Sequence, residues 1–178
     1  MGQNLSEDRS WNEYSLSQHL SSAEVADQLI GNGFCPIPVN AKTKKPAFND
    51  WPARAFQPSD FKNSCSVGLK MGNGLIGLDI DHYDPTVVQQ IKNEAEKRFG
   101  VGLARIGQPP KILLLYRCDF ITKKQTLKLA PSGKAPEGKS EALEILSKGQ
   151  QAVVSGIHPE TNAPYFWETV EPWDIVAG

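Results

Sequence analysis

The residues of this chain best suited to chemistry are two aspartates separated by one residue. They end the run Gly74-Leu75-Ile76-Gly77-Leu78-Asp79-Ile80-Asp81. The run is aliphatic and follows the turn sequence Gly72-Asn73-Gly74, so it reads as a strand buried on both faces. Side chains at i and i+2 of a strand project to one face, so Asp79 and Asp81 point together while Ile80 points into the core. Paired carboxylates at the end of a buried strand repel unless positive charge lies between them. A hard divalent cation, Mg²⁺ or Mn²⁺, suits carboxylate oxygen. The alternative is a strand that leaves the core into a solvated acidic loop, residues 79–84, that binds nothing. A D-x-D by itself reads more simply as the second.

A third carboxylate lies downstream. Residues 142–146, Ala-Leu-Glu-Ile-Leu, read as a short strand in which Leu143 and Ile145 face opposite to Glu144. An isolated carboxylate among apolar neighbours is costly to bury unless paired or bound to a metal. Glu144 is thus the natural partner of Asp79 and Asp81.

The elements that must position these groups follow from capping and periodicity. Ser21 or Ser22 with Glu24 starts a helix carrying Val25, Ala26, Leu29 and Ile30, stopped by Gly31 and Gly33. Residues 34–39 form a strand at a sheet edge, because Pro36 and Pro38 cannot donate to a ladder. Residues 66–71 and 75–81 form a hairpin about Gly72-Asn73-Gly74. Asp84 caps a second helix with Pro85 at its first position; Val88, Ile91, Ala95 and Phe99 share a face, and Gly100 ends it. Strand, tight exit and helix place Asp79 and Asp81 at the rim of a sheet. Gly149-Gln150-Gln151 turns the chain into a hairpin strand over 152–155, and residues 164–167 form another strand.

Basic groups lie in the connections. Lys42, Lys44 and Lys45 share a loop with Phe48 and Trp51. Such a segment meets phosphates and bases, or is a solvated lysine cluster beside a Trp that covers one end of the core; alone, it reads more simply as the second. Arg105 and Lys111 flank Pro109-Pro110, as a phosphate clamp or as a turn with solvated charges. Residues 118–140 carry Lys123, Lys124, Lys128, Lys134 and Lys139 against Asp119 and Glu137, with Pro131, Gly133, Pro136 and Gly138. They read as a mobile basic loop and the best local patch for a nucleic-acid backbone. His158, in a loop, is a phosphate or metal contact or an ordinary hydrogen-bonded histidine. His19 and His82 have no evident partner, and His82 points away from the aspartates.

The whole chain limits the function classes. Its 178 residues suffice for one domain with a real core, 39% apolar and 22% charged. A net charge of −1 gives no global positive field, so a polyanion would be held by a local patch. Cys35, Cys65 and Cys118, odd in number and widely spaced, form neither a disulfide framework nor a zinc knuckle and fit a reducing cytoplasm. The N-terminus lacks an apolar signal-peptide core, and residues 1–20, rich in Ser, Asn and Gln, are expected to be flexible. Residues 21–178 are expected to form the single domain.

In succession, Gly33-Phe34-Cys35-Pro36-Ile37-Pro38, Lys44-Lys45-Pro46 with Trp51, Val67-Gly68, Leu78-Asp79-Ile80-Asp81, Leu143-Glu144-Ile145, Gln150-Gln151 through His158-Pro159 and Tyr165-Phe166-Trp167 form a pattern. It resembles the bifunctional DNA primase/polymerase (prim-pol) domain of the archaeo-eukaryotic primase superfamily, over roughly residues 22–170. The resemblance implies an α+β fold: an RRM-like, mostly antiparallel sheet with flanking helices, plus a small N-terminal α/β subdomain. It implies a nucleotidyltransferase of a plasmid, phage or integrated-element replication protein. Asp79, Asp81 and Glu144 would hold two Mg²⁺ or Mn²⁺ ions for in-line transfer, with DNA template and nucleoside triphosphates as partners. The family's motif histidine is missing between His82 and Glu144; Lys111 supported by Arg105 takes its place, with His158 as second candidate. Lys44, Lys45, Lys123, Lys124 and Lys128 would meet nucleic acid. Such domains often continue into a helical accessory domain and a helicase, so this chain, ending at Gly178, is a fragment or a stand-alone module. The alternatives are a non-catalytic nucleic-acid-binding module of a replication initiator and a two-metal nuclease on the same acids.

Overall fold

A computed structural model describes residues 20–62, 65–119 and 123–174. The segment expected to be flexible, through residue 19, lies outside the described residues. The elements are α1 (Ser22–Gly31), β1 (Pro36–Val39), a 3₁₀ turn (Pro58–Asp60), β2 (Ser66–Lys70), β3 (Leu75–Asp81) and α2 (Pro85–Phe99). There follow β4 (Leu103–Ile106), β5 (Ile112–Arg117), β6 (Gln125–Lys128), β7 (Ala142–Leu146), β8 (Gln151–Ser155) and β9 (Phe166–Trp167). The chain is α+β, with antiparallel pairing between neighbouring strands. Among the described residues no helix is long and apolar enough to cross a membrane.

Both helices start and stop where the local chemistry dictates. Ser21 and Glu24 make a reciprocal capping box on α1, and Gly33 (φ 72°) follows its end. The Asp84 side chain accepts from Thr86 N–H, Pro85 opens α2, and Gly100 at φ 83° closes it. Phe99, expected on the buried face, is 68% exposed and meets Tyr116 edge-on.

The strands divide between two sheets, ordered β1-β2-β8 and β6-β7-β3-β5-β4-β9. This corrects the hairpin expected over 66–81: β2 and β3 lie in different sheets, and only a Gly72–Leu75 bridge spans their turn. Gly72, Asn73 and Gly74 all have positive φ (84°, 51° and 83°), which swings the chain out of one sheet and into the other. The hairpin expected at 149–155 is corrected in the same way, since β7 and β8 also change sheets. The two corners lie against each other: Met71 N–H donates to Gln150 O, and a Cβ on Gly72 would stand 3.0 Å from Lys148 Cα. The small sheet, which carries α1, is therefore not purely N-terminal; β8 supplies its third strand. β1 is at its edge, as its prolines require.

In the large sheet β3 and β4, joined through α2, run parallel with β5 between them, a split β-α-β arrangement. β3 is thus an inner strand, and Asp79 and Asp81 stand on one face of the sheet toward its exit end, Asp81 being the last residue of β3. Its burial is partial and alternating where both faces were expected to be buried. The basic segment 118–140 is not simply a loop, because β6 pairs with β7 over Gln125–Lys128. The strand expected over 164–167 shortens to Phe166–Trp167. One apolar core joins α1, the small sheet and one face of the large sheet through Leu29, Ile37, Leu69, Leu113 and Trp167; the other, with Ile80, Val88, Ala104 and Leu114, lies under α2.

Candidate functional site

Directly paired residues of adjacent strands share a face. One such row crosses the large sheet: Thr126, Glu144, Asp79, Leu113, Arg105 and Trp167. The next parallel row holds Lys128, Ala142 and Asp81. Leu113 and Trp167 belong to the core shared with the small sheet, whereas Ile80, Ile112 and Leu143 pack toward α2. The three acids thus stand on the face turned from α2, toward the small sheet. Glu144 faces opposite to Leu143, as the strand period requires.

Each acid has a different electrostatic setting. Lys111 Nζ lies 2.6 Å from Asp81 Oδ1, outside hydrogen-bonding alignment, so this buried oxygen has no hydrogen bond. Lys111 also donates to Tyr83 Oη (2.9 Å) and lies 4.0 Å from the centre of that ring. Burial opposes the Lys111 charge, but Asp81 and Tyr83 outweigh it and raise its pKa. Glu144 is ion-paired with Lys124 (2.8 Å) and accepts from Thr126 Oγ1 (3.1 Å). Among the described residues no hydrogen bond or ion pair reaches the Asp79 carboxylate. Its pKa is raised, first by burial and then by repulsion from Asp81 and Glu144, against the pull of Arg105 and Lys111.

Arg105, expected in a loop as half of a clamp, lies instead within β4. Its guanidinium stacks 4.7 Å from the Tyr165 ring centre and donates to Val153 O in the small sheet (2.9 Å), while its buried Nε has no hydrogen bond. Burial lowers its pKa and the Asp79 charge opposes that. Arg105 joins the two sheets and sets a fixed positive charge beside Asp79. A mobile arm it is not.

His158 is 4% exposed. Its Nδ1 accepts from Glu160 and Thr161 N–H at 3.3 Å, and its Nε2 lies 2.6 Å from Lys44 Nζ. The neighbouring lysines therefore part company: Lys44 turns into the site, whereas Lys45 is exposed. Burial, then Lys44, lower the His158 pKa, while Glu160 opposes them. Burial also lowers that of Lys44, with Glu160 opposing. Lys123, Lys124 and Lys128 are all exposed. Lys124 and Lys128 project with Thr126 onto the face of the acids.

Sequence reasoning missed several participants. Tyr83 holds Lys111, and Tyr165 holds Arg105. His82 and Glu141, 2% and 6% exposed, lie 3.6 Å apart at the end of β3. His82 Nδ1 accepts from Asp84 N–H and its Nε2 contacts Ala130 O, while Glu141 accepts from Tyr83 and Ser132 N–H. Burial works against the Glu141 carboxylate, but Ser132, Tyr83 and His82 outweigh it and hold its pKa down at about 2. A signal existed for Tyr83, an aromatic two residues past Asp81. For the His82–Glu141 contact there was none, since it depends on β7 lying beside β3.

Among the described residues no three His, Cys, Asp or Glu side chains converge closely enough to hold an ion. Lys111 and Lys124 draw Asp81 and Glu144 to themselves. No protein-family model matches this chain, and no curated protein sequence does.

Proposed function

We propose that this chain is a metal-dependent nucleotidyltransferase, a DNA primase/polymerase of a mobile-element replication protein, with Asp79, Asp81 and Glu144 at its centre. One observation carries the reading: Glu144, sixty-five residues downstream of Asp79, is its direct cross-strand partner, with Asp81 one step along the same face. The strand order β7-β3-β5-β4 with its split crossover supports the RRM-like sheet that the prim-pol resemblance implies.

The donor types suit a hard divalent cation, which would have to draw Asp81 from Lys111 and Glu144 from Lys124 for the three carboxylates to converge. Three carboxylates share one face, and Asp79, without a partner among the described residues, has its pKa raised first by burial and then by its acidic neighbours. Bound there, Mg²⁺ or Mn²⁺ would activate a primer hydroxyl and neutralise charge on the triphosphate and leaving pyrophosphate. Lys111 stands beside Asp81 to bind phosphate oxygens as a point charge, held by Tyr83. Arg105, fixed between Tyr165 and Val153, contributes positive potential without moving. Lys124 and Lys128 extend the same face for a template backbone.

A second reading has its own observation. Lys111 and Lys124 already neutralise two of the three acids, as suits a non-catalytic nucleic-acid-binding module. Primer extension on a labelled primer–template with dNTPs and Mn²⁺ separates the two. The enzyme extends the primer, and Asp79→Ala, Asp81→Ala and Glu144→Ala each lose about a thousandfold or more, the equivalent of several kcal/mol in the barrier. A parent protein that binds single strands but extends nothing, with binding indifferent to the three acids, is the module.

A further inference from the structure

We infer that Lys44 and His158 anchor the distal phosphates of the incoming nucleoside triphosphate, a role distinct from the nucleic-acid contact expected of Lys45. The inference deepens the nucleotidyltransferase reading and rests on it for the identity of the ligand.

The contact between the two side chains is chemically incomplete. His158 Nδ1 accepts two backbone N–H groups, which leaves the hydrogen of the neutral ring on Nε2. That Nε2 faces the amine of Lys44, another hydrogen-bearing nitrogen, at 2.6 Å. Two such donors stay together only if one gives up its proton or an anion enters to accept from both. The carboxylate that acts most strongly on Lys44, Glu160, is already paired with Lys139 at 3.2 Å. Lys44 feels Arg105, Lys111 and Asp79 as well as Glu160, so it lies within the field of the same site. An oxygen-rich anion with several charges would accept from Lys44 and His158 at one end and reach Lys111 and the acids at the other. A polyphosphate has that chemistry.

The backbone is arranged for this. Lys44 has φ 57°, a conformation that a residue with a side chain seldom adopts. It is held there by Lys44 N–H donating to Asn40 O (2.9 Å) and by Gln151 Nε2 donating to Lys44 O (2.9 Å). Gly107 leaves the room that His158 needs: a Cβ there would lie 2.8 Å from His158 Cδ2 and 2.5 Å from Tyr165 Cε1. Asn40 and Gln151 thus fix the Lys44 backbone, and Gly107 makes room for the imidazole that its amine meets.

Calorimetric titration of the full chain with inorganic tripolyphosphate, beside titration with oligo-dT, tests the assignment. Lys44→Gln weakens tripolyphosphate binding roughly ten- to hundredfold, the loss of one charge-assisted hydrogen bond, and leaves oligo-dT binding unchanged. Lys44→Arg recovers part of the loss. Lys45→Gln does the reverse, weakening oligo-dT alone. The bonds from Asn40 and Gln151 reach the Lys44 backbone and survive its substitution, so Lys44→Gln folds even if His158→Gln does not. Unchanged tripolyphosphate affinity in Lys44→Gln, or none in the parent, overturns the anchor. The two readings fail separately. A parent that binds tripolyphosphate through Lys44 but extends no primer retains the anchor and loses the polymerase. A parent whose KM for dNTP is unmoved by Lys44→Gln retains the polymerase and loses the anchor.

Discussion

Asp79 and Glu144 stand directly opposite each other on β3 and β7, and among the described residues only Glu144 of the two has an ion-paired cation. The asymmetry makes Asp79 the least satisfied charge of the site, which has measurable consequences.

Asp79→Asn stabilises the fold at neutral pH while abolishing extension. A carboxyl whose pKa is raised in the folded state disfavours folding above its ordinary value of 3.8, and the penalty is complete above the folded pKa. The variant's higher Tm therefore disappears as pH falls below 3.8. Thermal unfolding across pH measures it; a variant less stable than the parent at pH 7 contradicts it.

Added Mn²⁺ raises the parent's unfolding midpoint. At about a hundredfold excess over its Kd, the ion contributes about 2.7 kcal/mol. Asp79→Asn, lacking the central carboxylate, shows a smaller shift under identical conditions, and equal shifts would place the ion elsewhere.

Glu141→Gln has the opposite pH signature. The Glu141 carboxylate is held down at about 2, against an ordinary 4.5, so it stabilises the fold above 4.5 and ceases to as pH falls to about 2. Parent and variant midpoints differ at neutral pH and converge across that window. Because Glu141 ties Tyr83 to Ser132, the variant also loosens the residue that holds Lys111.

Lys124→Ala and Lys128→Ala weaken oligo-dT binding and each lower the salt slope by about 1 if the lysine meets a phosphate. Lys124→Ala also frees Glu144, so it lowers the Mn²⁺ concentration needed for the thermal shift. Lys128→Ala does not.

Gly107→Ala costs about 1–3 kcal/mol, because the new methyl meets the buried rings of Tyr165 and His158. Tripolyphosphate affinity falls with it, as measured by the same titration.

Much of the local structure was legible in the residues themselves. Ser21 with Glu24, Asp84 with Pro85, and Gly100 delimit the two helices because capping is decided within a few residues. That Asp79 and Asp81 share a face, and that Glu144 faces away from Leu143, follows from the two-residue period of any strand. Tertiary packing decided the rest. Gly72-Asn73-Gly74 looks like a hairpin turn, yet it carries the chain between sheets because a second corner at Ser147–Gln150 lies against it. The pairing of β7 with β3, the capture of Arg105 by Tyr165 and the separation of Lys44 from Lys45 join segments far apart in sequence. Spacing cannot encode such meetings, since which strands pair is set by how the sheets bury their apolar faces, and the charged groups go where those faces carry them.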